Sequence, residues 1–372
     1  MKALILTGEN QYHVVSHFID RIMADLALMN IAADNLSMAS ESEILLGVKQ
    51  LAPLIDYQFV ISFNGVGLRQ FHRDYNIVEF SQHSPCFVLC VDHPIYILKR
   101  LLHVPRATLL CVDKEHVSFA RQCGFSAVYF PHAVSYALAE NYKQVPPNRK
   151  SNTYLFPVSY LDLDTSKARL APVWNELGYI IEQCKSITPF MQAIGLMATH
   201  DTPANRQLDE NLFRVCILVD QYLRAREREI CLRYFQFQDK KLTVIGNGVN
   251  RYEKRFGLHD YLDPADFSTL FQRIAAAQYV VHHTPGFESG LHERVIYPLM
   301  LGTPVLTVDT PFINQVFPDF TRNVTEKESI PVSTVTPDQQ TQMREQILNS
   351  NTWYHQLTEL LSMATGLHKK TP

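Results

Sequence analysis

The run His282-His283-Thr284-Pro285-Gly286-Phe287-Glu288-Ser289-Gly290-Leu291-His292-Glu293-Arg294-Val295 puts imidazoles, carboxylates and a guanidinium around a glycine-bearing loop. This composition suits the seating of an anion at the start of a helix. The first N–H groups of a helix lack internal partners and its dipole is positive there, so the entry Glu288-Ser289-Gly290 favours phosphate oxygens. Arg294 can add a bidentate clamp. The expected diphosphate contacts are therefore Ser289, Gly290, Leu291, His292 and Arg294, with His283 beside them at the strand end. A strand, loop and helix that bind nothing would show the same residues.

The elements that must hold this loop are legible around it. Leu291, Val295 and Leu299, with Ile296 and Met300, recur at helical spacing, and Gly302 offers a helix exit before Pro304. Strands are expected at Tyr279–His282 before the loop and Val305–Val308 after the helix. The same alternation runs along most of the chain. Strands are expected at 3–6, 59–63, 86–91, 108–112, 127–130, 153–157 and 242–245, with helices at 14–29, 115–123 and 266–277 and a mostly helical stretch over 167–234. Nearly continuous apolar strands separated by helices imply parallel sheets covered on both faces. The helix near Asp266 is expected to be capped by Asp263 with Pro264 in its first turn, and Thr336-Pro337-Asp338-Gln339 to open a final helical pair.

The polar, proline-bearing stretch Gln144-Val145-Pro146-Pro147-Asn148-Arg149-Lys150-Ser151-Asn152 is the expected linker. It implies an N-terminal domain over 1–147, a second over 148–335, and C-terminal helices over 336–372 that pack back towards the first. Two doubly wound domains facing a central cleft would bind ligands at the carboxyl ends of their strands. The loops of interest are then Phe63-Asn64-Gly65, Val91-Asp92-His93-Pro94, Phe130-Pro131-His132 and Ile245-Gly246-Asn247-Gly248 as well as the opening run.

Composition narrows the partners. The 372-residue chain is 46% hydrophobic with a formal net charge of −3, so it can build two cores but lacks the basic footprint of nucleic-acid binding. No integral membrane segment is expected, since no apolar run approaches a span, and the first residues are too short a run for a signal sequence, which points to the cytoplasm. Seven scattered cysteines without a CxxC pair read as buried thiols. His282, His283 and His292 could be imagined as a metal trio, but neutral histidines fit the same pattern and no metal is expected.

Several of these motifs in order resemble a known family. Val91-Asp92-His93-Pro94, Cys111-Val112-Asp113, Tyr129-Phe130-Pro131-His132-Ala133, Ile245-Gly246-Asn247-Gly248, and His292-Glu293-Arg294-Val295 with Leu301-Gly302-Thr303-Pro304 resemble the CgeB-type spore-maturation proteins of the glycosyltransferase group 1 superfamily. The resemblance implies an α/β GT-B fold of two Rossmann-like domains, with a nucleotide diphosphate sugar mainly on the C-terminal one and an unknown acceptor mainly on the N-terminal one. It also implies no cofactor beyond that co-substrate and no metal, because helix amides and basic side chains neutralise the departing diphosphate. Two departures stand out. Ser289 and Tyr297 occupy the places of a spaced glutamate pair found in many retaining members, and Val158-Ser159-Tyr160 follows the strand where a Gly-Arg and a later Lys are usual. Arg294 and the amides of Gly290 to His292 would then carry more of the phosphate binding, with Arg251 or Lys254 as additional cations.

The remaining candidates have two readings each. His93, next to Asp92, could serve as a base or hydrogen-bond the donor sugar, or cap a helix; Asn64 and Gly65 could let backbone approach the acceptor, with His132 nearby, or form a plain turn. Gly246-Asn247-Gly248 could pass the nucleotide or simply leave the strand tightly. Asp113 reads as the cap of the helix from Lys114. The expected activity is sugar transfer from a nucleotide diphosphate sugar; a nucleotide-sugar epimerase of the same fold and a catalytically silent nucleotide- or sugar-binding protein are the alternatives.

Overall fold

The computed structural model describes residues 1–8, 14–37, 56–68, 84–101, 104, 107–142, 153–197, 210–283, 286–308, 310–324, 328–330 and 335–364. The expected linker at 144–152 lies outside the described residues. In chain order the elements begin β1 (Lys2–Thr7), α1 (Val14–Leu28), β2 (Ala32–Ser37), β3 (Phe59–Phe63), β4 (Cys86–Cys90), α2 (Leu98–Leu101), β5 (Ala107–Cys111), α3 (Lys114–Gln122), β6 (Ser126–Tyr129) and α4 (Tyr136–Tyr142). They continue with β7 (Tyr154–Pro157), α5 (Leu163–Arg169), α6 (Ala171–Gln183), α7 (Ile187–Ala193), α8 (Glu210–Phe237), β8 (Leu242–Ile245), β9 (Asp260–Leu262), α9 (Phe267–Ala276) and β10 (Tyr279–His282). The last are α10 (Glu293–Met300), β11 (Val305–Val308), α11 (Pro311–Val316), β12 (Thr321–Val324), α12 (Pro337–Ser350) and α13 (Trp353–Ala364).

Two compact units result, each around one parallel six-stranded sheet. The first holds residues 1–136 and the end of the chain from 351; its strand order is β2-β1-β3-β4-β5-β6. The apolar runs of β3 and β4 are buried along their whole length, as a sheet covered on both faces requires. The second unit is built from most of 137–350 and has the order β12-β11-β10-β7-β8-β9. Its core packs Tyr154, Phe156, Phe235, Val244, Tyr252, Tyr279 and Val281, with the Tyr154 and Tyr279 rings stacked at 6.1 Å. This is the expected doubly wound α/β architecture, two Rossmann-like sheets in one chain.

Four strands stand where the apolar pattern places them, at 59–63, 242–245, 279–282 and 305–308. Three strands had no such signal: β2, β9 and β12 are all sheet edges, and their sequences AADNLS, DYL and TRNV are short or polar. An edge strand buries less of itself, so it needs no continuous apolar run. The helix cap at Asp263 is corrected. Asp266 is the N-cap of α9, its carboxylate accepting from the Thr269 N–H at 2.8 Å, because Pro264 and Ala265 stay outside the helix. The final pair opens as expected on a reciprocal capping box, with Gln339 N–H donating to Thr336 Oγ1 at 3.2 Å and Thr336 N–H to Gln339 Oε1 at 3.0 Å. Of this pair, α12 packs on α10 in the second unit and α13 on α1 in the first. All seven cysteines are free thiols, six of them buried. Among the described residues no helix is long and apolar enough to cross a membrane.

Candidate functional site

The second sheet reverses direction between β7 and β10: β8 and β9 follow on one side, β11 and β12 on the other. Ligands of open α/β sheets bind outside the carboxyl ends of the strands at such a switch point. Those ends carry Pro157 and His282, and both lead into the segments singled out by sequence. His282 is fully buried, and burial, reinforced by His292, Arg294 and His283, pushes its pKa well below the usual range for imidazole, against the opposing pull of Glu293. His283 sets one ring nitrogen 3.1 Å from the Val308 carbonyl and the other 3.0 Å from that of Glu227. Its ring is thereby fixed between β11 and α8. Thr284 and Pro285 lie outside the described residues; Gly286, at φ 89°, takes a left-handed conformation that favours glycine.

The helix start carries its own anion. His292 caps α10, and its Nδ1 lies 2.6 Å from Glu293 Oε2 and 3.3 Å from the backbone nitrogen of Arg294. One nitrogen cannot both donate to the carboxylate and accept from the amide; the shorter, charge-assisted contact prevails, so His292 donates to Glu293. The Glu293 carboxylate thus occupies the electropositive helix start. Arg294 turns the other way, its Nη1 donating to the Pro157 carbonyl at 3.2 Å while its Nε stays 3.8 Å from Glu293. Its guanidinium therefore lies at the carboxyl end of β7, near enough to His282 at the end of β10 to help lower the pKa of that imidazole. Burial lowers its pKa, Glu293 opposes this, and the like charge of Arg224 adds to it, although the side chain keeps 24% of its surface exposed. Ser289 is half-buried, and Gly290 and Leu291 are buried. Gly302 ends α10 at φ 73° with Thr303 N–H donating back to Pro298 O at 2.8 Å, the exit its sequence suggests.

Two further arginines reach the same region from α8, and sequence reasoning passed over both. Arg224 pairs with Asp220 at 2.8 Å and lies under the Phe287 ring, 5.6 Å from its centroid. Arg228, one helical turn on, is buried at 9% exposure, donates to the Ser159 carbonyl, and also contacts the Tyr252 hydroxyl. In the sequence Arg224-Ala225-Arg226-Glu227-Arg228-Glu229 the alternating charges look like a solvated, salt-bridged helix face. The signal that separates Arg228 is its lack of a neighbouring acid to pair with, once Glu227 is taken by Arg226 at 2.6 Å and Glu229 by Arg255 at 2.7 Å.

The Gly246-Asn247-Gly248 exit of β8 is shaped by backbone packing. A Cβ on Gly246 would lie 1.9 Å from the Val158 carbonyl oxygen, so the glycine permits the segments after β7 and β8 to touch. Tyr160 N–H then donates to Asn247 O at 2.8 Å, Asn247 is exposed, and Gly248 takes φ 67° beside Tyr160. Arg251 and Lys254 are exposed, Arg251 over the Tyr160 ring at 5.4 Å. Tyr297, at the second position of the spaced glutamate pair, is buried against the Phe271 ring at 5.2 Å.

In the first unit the expected acceptor-side residues fall in two groups. Asn64 and Gly65 form the left-handed centre of a tight turn at φ 47° and 67°, closed by Val66 N–H donating to Phe63 O at 2.9 Å. Asn64 also donates to Asp92 Oδ2 at 2.9 Å and accepts from Val91 N–H at 3.0 Å, tying the ends of β3 and β4 together. Asp92 stays half-buried. His93 is fully buried: its Nδ1 accepts from Ile95 N–H at 3.1 Å as the cap of the short helical turn Pro94–Tyr96, and its ring packs on His116 at 4.5 Å and Phe119 at 4.9 Å. His132 is buried against Phe18, 5.4 Å between rings. Asp113 is the cap of α3, accepting from Glu115 N–H at 2.7 Å.

Comparison with known proteins adds the fold. No protein-family model matches the chain, and no curated protein matches it either. Solved structures do. A sucrose-phosphate synthase from Thermosynechococcus elongatus matches at TM-score 0.56 and 9% identity, covering 99% of both chains. A glycosyltransferase involved in avilamycin A biosynthesis matches at TM-score 0.56 and 11% identity, covering 99% of this chain and 98% of its own. An α-glucosyltransferase in complex with UDP-glucose and DNA containing an abasic site matches at TM-score 0.50 and 10% identity, over 98% and 99% of the two chains. These likenesses extend over nearly the whole chain, and the fold is the GT-B architecture that the paired sheets suggest.

Proposed function

We propose that this chain is a glycosyltransferase that moves a sugar from a nucleotide diphosphate sugar to an acceptor, with the diphosphate on the second unit. The observation that carries this reading is Arg294, which donates to the Pro157 carbonyl at the carboxyl end of β7, the strand beside which the sheet order reverses. Breaking the sugar–phosphate bond leaves negative charge on the diphosphate, and a preoriented guanidinium in a poorly hydrated site stabilises that charge. The shared architecture with glycosyltransferases, one of them in complex with UDP-glucose, supports the same reading. Within this reading, the order of motifs supports a CgeB-type member that works without metal, and we place its activity in the cytoplasm. His283, Ser289, Gly290, Leu291 and His292 line the donor side, and Gly246, Asn247 and Gly248 shape its rim.

On the first unit, Asn64, Gly65 and His132 remain the acceptor-side candidates, and Asp92 and His93 those for acid–base work. Asp92 keeps exposed surface and a carboxylate oriented by Asn64, whereas the His93 imidazole is buried as a cap, so Asp92 is the better placed of the two to meet an acceptor hydroxyl. One observation favours a second reading, a silent nucleotide- or sugar-binding protein: the buried Tyr297 replaces an acid that many retaining relatives use. Incubation with a mixture of UDP-, GDP-, dTDP- and CDP-linked sugars tests the proposal. Release of a nucleoside diphosphate supports transfer or hydrolysis, conversion of the donor alone marks an epimerase, and binding without turnover marks the silent protein.

A further inference from the structure

We infer that Arg228 of α8, with Arg224 holding the loop above it, is the principal phosphate ligand of the donor site. The inference rests on the reading of the second unit as the diphosphate-binding one.

Charge counting around the switch point leads to Arg228. Asp220 is committed to Arg224, Glu227 to Arg226, Glu229 to Arg255, and Glu293 to His292. Among the described residues Arg228 has no carboxylate within ion-pair distance, and its hydrogen-bonding contacts are the Ser159 carbonyl and the Tyr252 hydroxyl. A guanidinium has more N–H donors than two such contacts use. Beside the Tyr252 hydroxyl, the charged side chains that act on it are two more cations, Arg294 and Arg224. Burial is the largest influence and lowers its pKa to about 10; Tyr252 opposes this, while Arg294 and Arg224 reinforce it. A buried charge is costly unless paired, and three guanidiniums gathered at one strand end with one dedicated acid between them match a multivalent oxyanion.

The neighbouring parts have complementary roles. The carboxylate of Glu293 already meets the electropositive start of α10, which reduces the attraction of those amides for a second anion. Arg224, neutralised by Asp220, works as a positioning residue. A Cβ on Gly286 would lie 3.5 Å from both its Nη2 and Asp220 Oδ1, and Phe287 covers it, so the ion pair is the floor on which the loop rests. The Ser159 carbonyl fixes Arg228 against the β7 exit.

Calorimetric titration of the full chain with inorganic pyrophosphate at constant ionic strength tests the inference. The wild type is expected to bind, Arg228→Gln to lose about tenfold to a hundredfold in affinity, and Arg228→Lys, which keeps the charge without the fork, to fall between them. Lys241→Gln removes the same charge from the amino end of β8 and should bind as the wild type does. Circular dichroism on each variant separates lost binding from lost folding, and Arg228→Lys keeps the comparison open if Arg228→Gln does not fold. Equal affinity in the wild type and Arg228→Gln, or no pyrophosphate binding by the wild type, overturns the inference. Sugar-nucleotide turnover is scored separately. Turnover unaffected by Arg228→Gln leaves the glycosyltransferase reading standing without this inference, whereas arginine-dependent pyrophosphate binding with no sugar nucleotide bound or consumed does the reverse.

Discussion

At the scale of residues, the site is a competition between charges. Arg294 has a carbonyl and a distant carboxylate as partners, which leaves its guanidinium available for a charge-assisted contact with phosphate. Arg294→Ala is therefore expected to weaken a nucleoside diphosphate by about tenfold to a hundredfold, the effect of roughly 1.5–3 kcal/mol, and to leave the free nucleoside nearly unchanged. Titration with UDP and uridine, or with the base that binds, measures this; equal losses for the two ligands would take Arg294 out of the site. His93 calls for a different readout. Because its imidazole caps the turn at Pro94–Tyr96 and packs on Phe119, His93→Ala should lower unfolding free energy by about 0.5–2 kcal/mol in chemical denaturation. Normal stability combined with abolished turnover would instead assign it to chemistry. The opening loop and Arg294 were legible in sequence because glycine, histidine and arginine sit together in the chain. Arg228 was not, since its meaning depends on which of its neighbours' acids are already paired, and pairing is a property of the fold.

At the scale of elements, strand ends and helix starts carry the sharpest consequences. Gly246→Ala would drive a methyl group into the Val158 carbonyl, and backbone cannot move aside as a flexible side chain can. A loss on the order of 1–3 kcal/mol is expected from thermal unfolding, with weaker nucleotide binding because the β7 and β8 exits separate. A wild-type melting temperature would show that the two segments need not touch. Helix α1 contains an opposed pair of titrations. Burial raises the Asp25 carboxyl to about 6, with the Tyr354 backbone N–H and Arg21 opposing, and burial lowers the His17 imidazole to about 4, aided by Arg21 and opposed by Asp20. A raised acid adds stability as pH falls from about 6 towards its unfolded value near 3.8, whereas a lowered histidine removes stability as pH falls from 6.5 towards about 4. The two nearly offset each other over that window. Asp25→Asn should then lose stability more steeply on acidification than the wild type, and His17→Gln should lose it less steeply or gain; identical pH profiles for both variants would contradict the assignment. The interior strands were legible from their apolar runs, but three of the four edge strands, β2, β9 and β12, were not, because their short or polar sequences leave little trace in hydrophobicity. The cap of α9 shifted from Asp263 to Asp266 for a local reason. Thr269 supplies the partner N–H and hydroxyl three residues on, and both Asp266 oxygens use them.

At the scale of the whole molecule, the account joins two parallel sheets, a switch point lined with arginines, and the architecture of glycosyltransferases. The doubly wound class was legible from alternation alone. The division of the last two helices between the units was not, because α12 and α13 share one capping signal and differ only in which apolar face, on α10 or on α1, receives them. The central claim is that a nucleotide diphosphate sugar is the substrate, and its most direct test is release of nucleoside diphosphate by the full chain, followed by mass spectrometry in a mixture of UDP-, GDP-, dTDP- and CDP-linked sugars. One donor should be consumed with its nucleoside diphosphate as product, and the same donor at about a hundred times its dissociation constant should stabilise the fold by roughly 2.7 kcal/mol. A mixture left intact with no donor stabilising the protein, or a donor converted to an isomer with its diphosphate linkage unbroken, would contradict it.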